Sequence, residues 1–402
     1  MRAVPVSDAE RIHQLDAIRG FALFGIFLVN MPTFLHPMLF LPVDGLPYNH
    51  SILDEWIRIL FHMFVQTKFY TIFSFLFGAG FHLFMSRAEK KNLPVKPMYL
   101  RRITVLFLMG MVHLIFLWYG DILHTYALSG IMLLLFYKRE EQTIRKWAWS
   151  LLLVLQLLYG LVLFIPSDPS TIDSSSQAIA SKAVEVYTQG SWMEWLQFRI
   201  AYELPIVGAN EFLAVFSVFP LFLFGFSAAK RGVFVSGDTN RPAIKRVWWS
   251  TLLLSLVFVT MIPLVQTGLV QFPAPKDVAM LVFVGWSGLT LCAFYICSFL
   301  LLYNNQRWRN WLQHLEPVGR MALTNYLAQT VITVVIVWVL GLYGALHLSS
   351  GLFLCLLIFP LQIVASRWWL TRYQFGPVEW FWRCMTYARY IPMKRKEGNY
   401  EI

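Results

Sequence analysis

Neither a G-x-x-x-x-G-K-[ST] loop nor a G-x-G-x-x-G turn occurs in these 402 residues, so two common backbone cradles for nucleotide phosphates are missing. That argues against a nucleotide-driven pump. No H-E-x-x-H occurs and the nine histidines lack tight metal-ligand spacing, so no metal is expected. Cysteine is scarce: Cys292, Cys297, Cys355 and Cys384 fall in apolar runs or basic segments, and no disulfide framework is implied. A cleavable leader is not expected either. The first apolar run begins only at Ala17, is too long for a signal core and lacks a small-residue cleavage site. No internal repeat stands out, which counts against an inverted-repeat transporter.

What the chain does have is apolar length. A membrane-crossing helix needs roughly 20 apolar residues, and ten runs approach or reach that: 17–35, 60–84, 103–118, 122–137, 147–165, 206–229, 247–270, 278–303, 321–342 and 351–365. The third and fourth are short and meet at Tyr119-Gly120-Asp121, which predicts a tight helical hairpin. The fold class is therefore all-α, a polytopic integral membrane protein of about ten spans in one transmembrane domain. Of 33 lysines and arginines, 28 fall on every second connection or the termini, leaving Arg58, Lys68, Lys182, Arg199 and Lys276 elsewhere. The positive-inside rule then predicts both termini in the cytoplasm, with residues 367–402 as a basic cytoplasmic tail. The net charge of +11 describes loops facing anionic lipid and gives no reason to expect nucleic acid. Trp118-Tyr119, Trp248-Trp249 and Trp368-Trp369 mark span ends, as interfacial anchors do.

Two outer connections are long. Residues 36–59 hold Asp44, His50, Asp54 and Glu55; residues 166–205 open on the polar stretch 167–171 and continue into mixed sequence from Ala178 to Tyr202. That second part reads either as a helix on the outer leaflet or as a solvated loop.

Ionisable groups inside spans cost roughly 2.5–3.5 kcal/mol at mid-membrane, so each is a functional candidate. Asp16 and Arg19, three residues apart, read either as a local ion pair at a helix start or as the foot of a polar stripe. Eleven residues make three turns, placing Asn30 about 16 Å above Arg19. Arg102 and His113 repeat the spacing on the third span. Lys68 sits about two turns inside the second span, on the side where the charge rule disfavours it. Asp121 opens the fourth span, either as an N-cap or as the partner that orients a histidine; His124, one turn on, is a candidate general base. Asn325 and Gln329 read as interhelical hydrogen-bonding groups, and Glu203 and Glu211 as solvated flanks of the sixth span.

Several stretches together resemble one known family. Leu15-Asp16-Ala17-Ile18-Arg19-Gly20 with Leu28-Val29-Asn30, Lys68-Phe69, Leu76-Phe77-Gly78-Ala79-Gly80, His113 with Gly120-Asp121-Ile122-Leu123 and Tyr126, Gly319 through Leu327, and Gly376 through Arg383 resemble the bacterial YeiB-type membrane proteins, named for a domain of unknown function. That family in turn looks distantly similar to transmembrane acyltransferases, among them the lysosomal heparan glucosaminide acetyltransferase and bacterial sugar O-acyltransferases. In the latter an arginine of an L-D-x-x-R-G start is followed eleven residues later by a histidine; here Arg19 matches and Asn30 stands at the histidine position. The resemblance implies a multi-pass protein of the bacterial plasma membrane. It also implies transfer of an acyl group from cytoplasmic acyl-CoA, as co-substrate, to a hydroxyl or amine on the outer side.

In that reading Arg19, Arg101, Arg102 and Arg320, with Asp16, bind the CoA end; His113 steered by Asp121 is the base, with His124 as a second candidate; Lys68 or Asn30 stabilises the oxyanion. The rival expectation is a transporter or permease that passes a small solute or a lipid along the same stripe. Beyond the bilayer, the expected partners are acyl-CoA or another small molecule, and a homo-oligomer stays open.

Overall fold

A computed structural model describes residues 11–41, 50–166, 174–234 and 240–395; Asp44 and the polar stretch 167–171 lie outside the described residues. The helices run α1 His13–Leu35, α2 Ile52–Phe64, α3 Lys68–Lys90, α4 Val95–Phe116, α5 Leu123–Met132, α6 Glu141–Val162, α7 Ser174–Gln189 and α8 Trp192–Phe198. They continue as α9 Leu204–Lys230, α10 Arg241–Gln266, α11 Lys276–Tyr303, α12 Gln306–Leu312, α13 Glu316–Arg320, α14 Ala322–Val339, α15 Leu348–Arg372 and α16 Pro377–Tyr387. Among the described residues the sole β pairing is an isolated bridge between Tyr373 and Lys394. The chain is an all-α polytopic membrane protein.

Eight helical stretches among the described residues are long and apolar enough to cross a bilayer, against the ten expected. The fourth and fifth make the difference. Leu123–Leu135 is 13 residues, about 20 Å of helix where the hydrocarbon core needs about 30 Å. Helix α6 has 22 residues, but Glu141, Arg145 and Lys146 occupy its first turns and shorten its apolar part. The expected α4–α5 hairpin is present, and its tip is roofed by α7, α8 and a π-helical turn at Arg199–Glu203. The stretch 178–202 is thus helical. Its Ala180, Ala183 and Tyr187 are buried, with Tyr187 packed on Tyr343 at 4.8 Å between ring centroids.

Lys68 does not sit inside a continuous helix. The chain breaks over residues 65–67, where Thr67 takes the left-handed conformation at φ 70°, and Lys68 opens α3. Helix α1 forms the centre of the bundle, packed on α3, α13, α14 and α15. Its contact with α13 is backbone to backbone: a Cβ on Gly319 would lie 1.7 Å from the Asp16 carbonyl oxygen, and one on Gly20 2.2 Å from that of Leu315. Two glycines thereby bring Arg19 and Arg320 to the same end.

Asn325 and Gln329 do join helices. Asn325 Nδ2 donates to Ser366 Oγ at 2.9 Å, and Gln329 Nε2 to Gln362 Oε1 at 2.9 Å, tying α14 to α15. At the periphery, Leu253, Leu254, Leu256 and Val257 of α10 are exposed, as suits a lipid-facing helix.

Candidate functional site

A cavity of about 320 Å³ lies between α1, α3, α4, α14 and α16. At the basic end of the bundle it is lined by Arg11, Arg19, Arg87, Arg102, Arg320 and Arg383 with Lys91, against two carboxylates, Asp16 and Glu379. Farther in, the lining turns apolar and aromatic, ending at Ile122, Leu123, Tyr126 and Tyr326. Excess positive charge at one end and a greasy aromatic bore at the other fit an amphipathic anion.

Each charged group is positioned by a specific contact. Asp16 Oδ1 accepts from Arg19 Nη1 at 2.7 Å, with Arg11 at 3.6 Å, so the expected local ion pair exists and also faces the cavity. Arg102 lies under the Trp382 ring, 3.5 Å from guanidinium carbon to centroid, while Trp382 Nε1 donates to the Arg102 carbonyl at 2.7 Å. Glu379 caps α14: its Oε1 accepts from the Leu323 and Thr324 amides at 2.7 and 3.0 Å, and its Oε2 from the Thr324 hydroxyl. This seats α16, with Trp382 and Arg383, against the cavity.

The second assembly sits behind the aromatic end. His113 Nδ1 is 2.8 Å from Asp121 Oδ1, and His124 Nδ1 is 2.8 Å from Asp121 Oδ2, which also accepts the His124 amide at 3.0 Å. His124 Nε2 is 2.9 Å from Glu211 Oε2, which the Thr125 hydroxyl reaches at 3.1 Å. Burial by itself pushes the Asp121 carboxyl up; the two imidazoles and the amide outweigh it and hold the group below the usual carboxylate range. Gly110 makes the room, since a Cβ there would lie 2.5 Å from the His124 amide nitrogen and 2.9 Å from Asp121 Oδ2.

The two histidines differ in one respect. Both ring nitrogens of His124 face carboxylate oxygens, so neither is left to take a proton from a substrate. His113 Nε2 is buried without a hydrogen-bond partner. His113 does not line the cavity. Its ring packs on Tyr326, which does, at 5.3 Å, and on Trp118 at 6.2 Å. Trp118 lines a smaller cleft of about 30 Å³ beneath the α7–α8 roof, with Tyr187, Trp195 and Arg199. His113 therefore stands between two hollows, touching one lining residue of each.

Residues 228–389 match a family described as a protein of unknown function (DUF418). The chain is 33% identical over 412 residues to the uncharacterized protein YxaH of Bacillus subtilis, covering 98% of each chain. The chain belongs to the YeiB-type DUF418 family. An uncharacterized 39.9 kDa protein from the amylase 3' region of Bacillus acidopullulyticus is 32% identical, over 98% of this chain and 99% of its own. YeiB of Escherichia coli is 25% identical over 94% and 96%. No solved structure matches.

In this DUF418 chain the expected site residues fall into three sets. Asp16, Arg19, Arg102 and Arg320 share the cavity; His113, Asp121 and His124 share the buried cluster; Lys68, Asn30 and Arg101 line neither hollow. Arg101 is exposed. Asn30 lies one turn before Phe34, whose ring packs on Trp118 at 4.5 Å. Lys68 is fully buried at the α2–α3 break, where its Nζ donates to the His62 carbonyl at 2.7 Å, to Ser287 Oγ at 2.9 Å and to the Val284 carbonyl at 3.4 Å. Among the described residues no group of three or more His, Cys, Asp or Glu is arranged to hold a metal ion.

Three groupings escape sequence reasoning. Glu211 and Glu203 are not solvated flanks: Glu211 joins His124, and Glu203 is 1% exposed, accepting from Arg199 Nε at 3.0 Å and from the Tyr187 hydroxyl at 2.8 Å. The i,i+4 spacing of Arg199 and Glu203 is the signal that finds this pair. Glu379 and Trp382 carry no local signal, because their partners lie 55 or more residues away.

Proposed function

We propose that the protein transfers an acyl group from an acyl-CoA, bound at the basic end, to an acceptor hydroxyl or amine, with His113 as general base. One observation carries the reading: a buried, carboxylate-held histidine keeps one free ring nitrogen behind the aromatic end of a basic cavity. Arg19, Arg102 and Arg320 hold phosphates, for which the guanidinium fork is suited, and the apolar bore takes the thioester arm. Arg101 adds only long-range charge at the mouth. Arg102 and His113 are eleven residues apart on one helix, about 16 Å, a span that an extended pantetheine arm bridges. Rotation of the Tyr326 ring opens His113 to the thioester.

The steps balance as follows. The acceptor oxygen or nitrogen attacks the thioester carbonyl while His113 Nε2 takes its proton and Asp121 holds the Nδ1–H. The tetrahedral intermediate collapses, the carbon–sulfur bond breaks, and the thiolate recovers that proton from His113. Both oxyanion donors considered stand outside the two hollows, so neither reaches the thioester carbonyl as the side chains are placed. Lys68 is committed to two carbonyls and a serine at the helix break. In this reading the basic end faces the cytoplasm of a bacterial plasma membrane, and the acceptor comes from the cleft under the α7–α8 roof.

A second reading, passage of a solute or lipid, draws on the two hollows whose lining residues Tyr326 and Trp118 both pack on His113. Purified protein separates the two. Acyl transfer predicts acetyl-CoA binding and slow release of free thiol, with Arg19→Ala and Arg320→Ala each weakening binding roughly tenfold. Flux of solute into proteoliposomes without any acyl donor, and no binding or hydrolysis of acetyl-CoA, would falsify it.

A further inference from the structure

Helix α14 is a wall of both hollows: Tyr326 lines the cavity, and Val337, about three turns on, lines the cleft under the α7–α8 roof. Between them Gln329, Thr330 and Thr333 fall on the same side of the helix, the five residues sharing an arc of about 100°. All three are buried, and Gln329 Oε1, Thr330 Oγ1 and Thr333 Oγ1 have no hydrogen-bond partner. The Gln329 amide nitrogen is spent on Gln362, so its oxygen is the end left over. His113 Nε2, beside Tyr326, and Trp118 Nε1, in the cleft wall, are unpartnered as well.

The two threonines break the habit of the rest of the chain. In a helix a threonine hydroxyl ordinarily gives its hydrogen to a carbonyl of the preceding turn. Thr251, Thr260 and Thr386 do so, at 2.7, 2.8 and 2.7 Å to Val247, Leu256 and Trp382. Thr330 and Thr333 do not. A buried hydroxyl without a partner is costly, and surrounding hydrocarbon brings no water from the side to relieve it.

We infer that this face of α14 is a binding path for uncharged hydroxyl compounds between the cleft and the cavity. Its unspent atoms are of mixed kind: indole N–H donors at Trp118 and Trp195 in the cleft, hydroxyls at Thr330 and Thr333, and the Gln329 acceptor. A hydroxyl group both donates and accepts, so it suits each of them in turn. An ammonium only donates and meets no carboxylate along α14, and a phosphate only accepts and meets no cation, because the helix carries no charged residue. Arg199 in the cleft wall is held by Glu203 at 3.0 Å. One consequence rests on the acyl-transfer reading: the acceptor is an alcohol, not an amine, and it approaches His113 past Thr333 and Thr330.

The test places thiols along the path, in the full chain in lipid nanodiscs. The parent carries Cys384→Ser, since the other three cysteines are buried and Cys384 is not. Thr330→Cys, Thr333→Cys and Val331→Cys are each treated with methanethiosulfonates bearing a hydroxyethyl, a sulfonatoethyl or a trimethylammonioethyl group. Val331 is 41% exposed and turned away from the stripe, so it serves as the lipid-facing control. The attacking species is the thiolate, which forms where water reaches, so the hydroxyethyl reagent should label Thr330→Cys and Thr333→Cys at least roughly tenfold faster than Val331→Cys. The two charged reagents should show no such preference. Labelling no faster than in Val331→Cys, or equal labelling by all three reagents, overturns the inference. A second measurement needs no new thiol. Thr330→Val with Thr333→Val keeps the shape and removes both hydroxyls; an unchanged or lower unfolding midpoint is expected, and a higher one means that nothing served them and overturns the path. Where acetyl-CoA is turned over with glycerol as acceptor, the same double variant should raise KM for glycerol about tenfold and leave that for acetyl-CoA unchanged. Selective labelling in a chain that neither binds nor turns over acetyl-CoA overturns the acyl-transfer reading and leaves the path standing.

Discussion

Lys68 and His113 are buried to the same degree, 0% and 1% exposed, and each sits beside an interruption in a helical path, yet they are built in opposite ways. At Lys68 every contact closes inward. The ammonium fills the mouth of a broken helix, taking the His62 carbonyl that α2 leaves open together with two acceptors on α11, the Val284 carbonyl and the Ser287 hydroxyl. At His113 one nitrogen is tied to Asp121 and the other is left unspent beside a cavity wall. A buried ionisable group whose hydrogen bonds are all used holds a fold together. One with a single unused atom next to a hollow can act on something else.

The sharpest way to break this comparison is to truncate both. His113→Ala should lower acetyl-CoA turnover by roughly 10²–10⁴-fold, the usual share of a general base, and cost about 2 kcal/mol for the buried Asp121 oxygen it leaves without a donor. Lys68→Ala should act on stability and leave the turnover of the folded fraction nearly unchanged. It leaves the His62 carbonyl and Ser287 hydroxyl buried without their donor, a cost of about 3 kcal/mol, read as a lower yield and an earlier unfolding midpoint. Equal loss of turnover in the two variants at unchanged stability would put Lys68 back among the reacting groups.

The sequence shows one of these two sites far better than the other. Long apolar runs report spans because the bilayer demands length, and basic residues at their feet report one end, so Arg19, Arg102 and Arg320 can be picked out and do share a cavity. The break before Lys68 leaves no such mark. Residues 65–67 read Val-Gln-Thr, with neither glycine nor proline, and only tertiary contact holds Thr67 at φ 70°. Asp121 and His124 are legible as a pair because they are one turn apart. Glu211 is not, since it reaches His124 across 87 residues. Sequence distance likewise hides Glu379 and Trp382, although the stretch that holds them helps to carry the family resemblance.

His36 sharpens the comparison from a third side, as a buried group kept neutral. It follows α1 directly, is 1% exposed, and burial lowers its pKa to about 4 despite a hydrogen bond to the Leu346 backbone. Above pH 6.5 both folded and unfolded forms are neutral and its contribution is complete. As pH falls from 6.5 toward 4 only the unfolded form takes up a proton, and stability drops by up to about 3 kcal/mol. Unfolding midpoints measured across that window should flatten in His36→Gln. The same slope in both proteins would assign the acid sensitivity to another group.

The smallest expected effect comes from Asp54, a charge saturated as Lys68 is. Its Oδ2 accepts from the Ser51 amide at 2.9 Å and hydroxyl at 3.0 Å and faces His347 Nδ1 at 3.0 Å, while Oδ1 accepts the Ser349 amide at 2.9 Å. One carboxylate thereby serves the starts of both α2 and α15, elements 295 residues apart at the Ser349 contact. Losing a cap costs about 1 kcal/mol, so Asp54→Ala should cost about 2 kcal/mol if both starts depend on it. Turnover should stay within a factor of two or three, because neither helix start touches the cavity or His113. A loss near 1 kcal/mol would mean that only α2 relies on Asp54. A collapse of turnover at preserved stability would mean that a saturated group can still govern the chemistry, and the contrast between Lys68 and His113 would no longer divide structure from function.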